Sequence, residues 1–222
     1  MPKKSHISQK RWRKWWRDYK KKLPHWAVSF ESSKLAADFI KLLRKYHIAK
    51  GKILEIGCGN GRDSFFFALQ GFNVTGVDIA PEALNLCNQK RADFIKKRKI
   101  KKSQIQFLLT DAENLPFRDE SFTGGYSIGV FHSTNLGKSL KELARVIKQN
   151  GLVMIHLYEK TVFLPSKKIE RYYSAREIKS ILARLPFRVL KFESNITRRG
   201  YNYDEKIGSH KHFSIILSLR KL

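Results

Sequence analysis

Three glycines at alternate positions, Gly57, Gly59 and Gly61, stand between an apolar run, Ile53-Leu54-Glu55-Ile56, and Arg62-Asp63-Ser64. This reads as a buried strand, a tight turn and the start of a helix. A turn without side chains lets a ligand lie against backbone amides. Asp78 stands 17 positions after Gly61, at the end of a second run, Asn73-Val74-Thr75-Gly76-Val77. A carboxylate one strand over can accept hydrogen bonds from ribose hydroxyls, so turn and acid together describe a nucleoside-cofactor site. The spacing Gly-x-Gly-x-Gly, with Arg at 62, departs from the Gly-x-Gly-x-x-Gly of dinucleotide sites and disfavours a nicotinamide dehydrogenase. No His, Cys and Asp cluster has metal-ligand spacing.

The elements that must position these groups alternate between strand and helix. Apolar periodicity predicts a helix over about 31–46 with Leu35, Phe39, Leu42 and Leu43 inward, then a strand over 52–56 and a helix over 62–69. A strand over 73–77 follows, and a helix begins at Pro81, a favourable first-turn residue, and runs to about 97. Strands over 104–109 and 121–127, a helix over 136–148 and a strand over 152–158 continue the pattern. Ser174 with Glu177 three residues later predicts a capped helix to 183, before two last strands over 187–193 and 210–219. Such alternation implies an α/β, Rossmann-like, doubly wound and mainly parallel sheet with helices on both faces. Ligands in such sheets bind beyond the carboxyl ends of the strands, which gathers Glu55, Asp78, Asp111 and Ser127 around one crevice.

Four ordered blocks carry a resemblance. Glu55-Ile56-Gly57-Cys58-Gly59-Asn60-Gly61 is similar to motif I of the class I S-adenosylmethionine methyltransferases. Gly76-Val77-Asp78-Ile79-Ala80-Pro81 resembles their ribose-binding segment, and Thr110-Asp111-Ala112-Glu113-Asn114-Leu115-Pro116-Phe117 their adenine-binding loop. Gly129-Val130-Phe131-His132-Ser133-Thr134 and Leu143-Ala144-Arg145-Val146-Ile147-Lys148-Gln149-Asn150-Gly151 match the next two. Where the family carries Lys-Pro-Gly-Gly this chain has Lys148-Gln149-Asn150-Gly151, and Asn tolerates the left-handed conformation such a turn needs.

The resemblance implies seven strands with the last antiparallel, a methyl transfer from S-adenosyl-L-methionine that leaves S-adenosyl-L-homocysteine, and a set of site residues. The backbone of Gly57, Cys58, Gly59 and Gly61 is expected along the methionine and ribose. Asp78 is expected on the ribose hydroxyls and Ile79 against the adenine, with Asp111 and the Ala112 amide reading the adenine edge. The Ser127 and Ile128 backbone is expected at the methionine amino group, with Glu55 ordering a water nearby. Arg62 and the pre-helix Trp26 are candidates for the carboxylate. His132 and Glu159 are the candidates for orienting or deprotonating an acceptor, with His156, Tyr158, Tyr172 and Tyr173 close by in the reading. An in-line displacement needs an aligned nucleophile about 3–3.5 Å away, so positioning supplies much of the acceleration and neither a metal nor a strong base is demanded.

The acceptor is less legible. Ser127-Ile128-Gly129-Val130-Phe131-His132 is not the Asn/Asp-Pro-Pro-Tyr signature of methyltransferases acting on base amino groups. The Gly61-Arg62-Asp63-Ser64 and Phe72–Asp78 segments look like small-molecule enzymes, whereas the basic N-terminus and Arg171-Tyr172-Tyr173 resemble tRNA wobble-uridine enzymes. Three readings stay open: a small-molecule methyltransferase, placed first; an RNA methyltransferase; and a binding protein that keeps the pocket without catalysis.

The 222 residues suit one domain, expected over 25–222, preceded by a basic aromatic arm over 1–24. In the arm Trp12, Trp15 or Trp16, Tyr19 and Leu23 share one helical face, suited either to packing on the domain or to nucleic acid or a membrane surface. Lys and Arg number 45 against 19 acids, a formal net charge of +26, a field that steers anionic partners, RNA among them. No apolar run approaches the ~20 residues of a membrane span, and the N-terminus lacks the apolar core of a secretory signal. Two cysteines, Cys58 and Cys87, do not make a disulfide framework, so a cytoplasmic setting is expected. Oligomeric state is not legible.

Overall fold

The computed structural model describes residues 10, 13, 14, 17, 31–159, 172–199 and 211–222. Its seven strands are β1 (Lys52–Ile56), β2 (Asn73–Asp78), β3 (Ile105–Leu109), β4 (Phe122–Ile128), β5 (Ile147–Tyr158), β6 (Phe187–Arg199) and β7 (Lys211–Lys221). They form one sheet in the order β3-β2-β1-β4-β5-β7-β6. β7 runs antiparallel to β5 and β6, and every other adjacent pair is parallel. The helices named here are α1 (Lys34–Lys45), α2 (Arg62–Leu69), α3 (Pro81–Lys96), α4 (Leu136–Val146) and α5 (Ala175–Leu182).

Period-two alternation in the strands divides the core between two faces. Leu54, Ile56, Val153, Ile155 and Leu157 point to the face covered by α4 and α5. Ile53, Leu152 and Met154 point to the face covered by α1 and α2. On that second face Tyr126 of β4 stacks on Phe39 of α1 at 5.5 Å, and Phe67 of α2 meets it edge-on at 5.0 Å. Side-chain caps start α1 and α5, whereas α3, which begins at Pro81 as expected, has none. Ser33 accepts from the Ala36 amide and starts α1 at Lys34, three residues later than expected. Ser174 and Glu177 form the reciprocal capping box at the start of α5.

One junction differs from the reading. The helix expected to run to Lys148 stops at Val146, and Ile147 already pairs with Phe122 as the first residue of β5. The register shifts between Phe122 and Gly124, and Asn150 takes φ 64°. Lys148-Gln149-Asn150-Gly151 are the extra residues of that shift, and Asn150 takes the left-handed conformation expected of it. Burial of Ile147, which is fully inaccessible, rewards early pairing over another half-turn of helix. β6 and β7 also run further than expected, since beyond the sheet each supplies the other's hydrogen bonds.

The chain proceeds outward from β1 through β2 to β3, then returns to the other side of β1 for β4 and β5. That reversal leaves a crevice at the carboxyl ends of β1 and β4, the place where such sheets hold ligands. Among the described residues no helix is long and apolar enough to cross a membrane. Trp12, Trp15, Trp16, Tyr19 and Leu23 of the arm, and Trp26, lie outside the described residues.

Candidate active site

The glycine turn leaves β1 with three residues of positive φ: 71° at Gly57, 55° at Gly59 and 77° at Gly61. Two of them also lack room for a side chain. A Cβ on Gly57 would meet Val130 Cγ2 at 2.1 Å, and one on Gly61 would meet Cys87 Sγ and Phe65 Cε2 at 3.0 Å. The turn is tied down by the Gly57 and Cys58 amides, which donate to the Val77 carbonyl at 2.7 and 2.9 Å. Gly61 then caps α2, its carbonyl accepting from the Phe65 amide at 2.9 Å.

Asp78, half-buried at the end of β2, accepts from the Gly59 amide at 3.0 Å through Oδ2 and from the Ala80 amide at 2.9 Å through Oδ1. Burial raises its pKa and these backbone donors oppose the rise. An ionised carboxylate has about four acceptor positions, so these backbone donors leave capacity for an external hydroxyl donor. Ile79, next in sequence, is half-buried. The Thr110 amide donates to the Asp78 carbonyl at 3.0 Å and carries the following loop to the same rim. There the Asp111 carboxylate accepts from the Glu113 amide at 2.9 Å, capping its own turn, while Ala112 is buried.

That loop is held from behind by a residue the sequence reading quoted without a role. Arg145 of α4 donates to the carbonyls of Phe117 at 2.6 Å and Leu115 at 2.9 Å, and to the carboxylates of Asp119 and Glu142 at 2.8 Å each. Glu142 in turn accepts from the Leu115 amide at 2.9 Å. The Arg145 hydrogen bonds lower the Glu142 pKa, and the carboxylates raise that of Arg145.

Beneath the turn lies a buried polar layer. Glu55 is 5% exposed and accepts from the Ser64 hydroxyl. Burial, and then the neighbouring Asp63 charge, push its pKa well up. Asp63 accepts from the Ser33 amide and hydroxyl at 2.7 Å each and from the Tyr126 hydroxyl at 3.1 Å, joining α1, α2 and β4. Arg62 lies 3.4 Å from Asp63 through Nε, with a fifth of its side chain exposed. Cys58 and Cys87 are buried free thiols; burial, then the contact with Cys87, push the Cys58 thiol up.

Across the crevice Ser127 is fully buried, pairs with Ile56, and donates through Oγ to the Ile56 carbonyl at 3.0 Å. Ile128 ends β4, and the Gly129 amide, at φ 65°, donates to the His156 carbonyl at 2.9 Å. His132 is 3% exposed, 4.7 Å from the Tyr158 ring and stacked on Tyr172 at 5.8 Å. His156 meets Tyr158 edge-on at 5.6 Å. Glu159, also buried, bridges to Tyr173, whose hydroxyl accepts from the Leu136 amide at 3.3 Å. The structure thus brings together the glycine turn, Asp78, Ile79 and the Asp111 loop on one side and the His132–Glu159 aromatic cluster on the other. Trp26 lies outside the described residues.

Missed in the sequence were Asp63, Ser64 and Arg145. The one signal available for Asp63 was an acid in the first turn of a helix, which the helix dipole alone would explain.

The profile of the family described as "Methyltransferase domain" matches residues 54–155. An uncharacterised protein of Methanocaldococcus jannaschii is 33% identical over 165 residues, 68% of this chain and 72% of that protein. An O-methyltransferase of Penicillium expansum is 28% identical over 62% of this chain, which spans about half, 52%, of that relative. Among solved structures, geranyl diphosphate C-methyltransferase of Streptomyces coelicolor, in complex with geranyl diphosphate and S-adenosyl-L-homocysteine, superimposes with a TM-score of 0.65. It is 14% identical, and the match covers 84% of this chain and 77% of that one.

Proposed function

The chain belongs to the class I S-adenosylmethionine-dependent methyltransferase family, and from that premise we propose that it methylates a small-molecule acceptor. The family's cofactor is S-adenosyl-L-methionine. When bound it supplies an electrophilic methyl group on a sulfonium, and S-adenosyl-L-homocysteine remains after transfer. The residues present fit that molecule: a turn of three positive-φ glycines, two of them without room for a Cβ, beside a carboxylate with acceptor capacity left over.

In this reading Gly57, Cys58, Gly59 and Gly61 lie along the methionine and ribose, and Asp78 accepts from the ribose hydroxyls. Ile79 packs on the adenine, whose edge is read by Asp111 and the Ala112 amide. The Ser127 and Ile128 backbone holds the methionine amino group near Glu55, and Arg62 or Trp26 the carboxylate. The arm over 1–24, the domain over 25–222 and a cytoplasmic setting belong to the same reading.

The observation that carries the small-molecule acceptor is the enclosed aromatic cluster at the carboxyl ends of β4 and β5. His132, Tyr158 and Tyr172 are in mutual ring contact beside buried Glu159. Aromatic side chains with a few polar groups among them are the kind that line sites for a compact, partly apolar acceptor. Support also comes from relatives that are an O-methyltransferase and a C-methyltransferase of geranyl diphosphate. His132 or Glu159 orients the acceptor or takes its proton.

Three measurements test this. Asp78→Ala is expected to weaken S-adenosylmethionine binding at least tenfold in calorimetry, about 1.4 kcal/mol; unchanged affinity removes the ribose assignment. Isotope-labelled cofactor, incubated with metabolite extracts and in parallel with total tRNA, should mark a small molecule and not the RNA. Once that acceptor is in hand, His132→Ala should slow single-turnover transfer by ~10²-fold, the lower range for a lost proton-transfer group. Cofactor affinity should be unaffected, and an undiminished rate excludes His132 from the chemistry.

A further inference from the structure

The net charge is not evenly spread. Residues 1–24 hold ten Lys and Arg against Asp18 alone, and residues 83–110 hold eight against Asp93 alone. These 52 residues, under a quarter of the chain, carry sixteen of the net twenty-six positive charges. In the structure Arg13 of the first segment reaches the residue that precedes the second. Arg13 of the arm pairs with Glu82 in the first turn of α3, Nε to Oε1 at 3.5 Å. Lys10, Arg13, Lys14 and Arg17 are helical and exposed, on the single face that i, i+3, i+4, i+7 spacing makes. At the other end of α3, Lys96, Lys97, Arg98, Lys99, Lys101 and Lys102 are all exposed, and Asp93 is already paired with Lys97 at 3.2 Å.

α3 has 16 residues, so it separates these two groups by about 24 Å. A cluster of six cations exceeds what capping one helix end requires, because the dipole effect fades within the last turn. Between them α3 carries only Lys90 and Arg91, half-buried and donating to the Asn60 and Lys102 carbonyls, so the exposed cations form a track of two groups spaced along one helix rather than two rows straddling a duplex.

We propose that this track, from the arm across α3 to the turn before β3, binds the phosphate backbone of single-stranded nucleic acid. The surface is separate from the acceptor cluster, which lies beyond β4 and β5 on the other side of the crevice. Binding there does not require nucleic acid to be the methyl acceptor. One end of the track lies at Glu82, four residues after Asp78, so a bound strand passes beside the cofactor rim.

The test uses the full chain and a fluorescent oligouridylate of about 20 nucleotides, followed by anisotropy across a salt series. Expected is binding whose logarithm falls with log salt at a slope of about −3 or steeper, that is, at least four phosphates at about −0.7 each. Lys96→Glu/Lys99→Glu/Lys102→Glu should weaken binding at least tenfold, and Lys10→Glu/Lys14→Glu by a comparable factor. The control, Arg176→Glu/Arg184→Glu/Arg188→Glu, reverses as much charge on exposed residues near the β6 edge and should change affinity less than threefold. Melting no lower than the parent's, with unaltered cofactor affinity, establishes in each variant that the fold is kept. Equal losses in the two triple variants would reduce the effect to net charge and overturn the proposal. So would absence of RNA binding at low salt, or capture by phosphatidylglycerol vesicles without capture of RNA.

Discussion

Glu55 shows how one buried side chain couples the site to folding. It lies under the glycine turn with a hydroxyl donor on one side and the Asp63 charge near it. Its pKa is raised because ionisation there forfeits water, so the folded state holds the proton more tightly than the unfolded chain. By linkage its contribution is intact below the ordinary carboxyl range and is lost as pH rises through the elevated value. Glu55→Gln keeps an acceptor for Ser64 and removes the charge. The variant should therefore melt at the parent's temperature near pH 4 and above it at pH 8. Calorimetry at both values decides; an equal offset at both would mean that the carboxyl is not the titrating cause.

Among elements, the informative relation is between α4 and the loop after β3. That loop has no regular hydrogen-bonding partner strand, yet it must present Asp111 and Ala112 at a fixed place. Arg145 supplies donors to two of its carbonyls, and Glu142 accepts one of its amides. Arg145→Ala removes these donors together and should cost about 2 kcal/mol of stability. It should also weaken cofactor binding severalfold, although the residue touches no ligand. Arg145→Lys should recover little of either, because an ammonium cannot reproduce the guanidinium fork. Full recovery by Lys would show that charge alone, and not the fork, holds the loop.

At the scale of the whole molecule, a net charge of +26 on 222 residues means that the folded state works against its own repulsion. Raising NaCl from about 50 to about 500 mM shortens the screening length from roughly 14 to roughly 4 Å. The melting temperature should accordingly rise by several degrees over that range, and less in the Lys96→Glu/Lys99→Glu/Lys102→Glu variant. A melting temperature that falls with salt would point instead to ion pairs as the dominant surface term. Few such pairs appear among the described residues, and several, including Lys41–Asp38 and Lys97–Asp93, are local and exposed.

Local chemistry by itself determined the parallel sheet, the glycine turn at its first strand and the acid at the end of the second. Those features rest on period-two burial, on positive φ that glycine accepts, and on short spacings along the chain. Only the tertiary structure decided that Asp63 joins three elements, that Arg145 braces a loop some 30 residues away, and that Val130 closes over Gly57. The break between α4 and β5 belongs with these, since Ile147 pairs early because Phe122 lies opposite it and burial is available there. Contacts between residues far apart in the chain have no period to betray them; they exist only once the crossings of the sheet have brought their elements together.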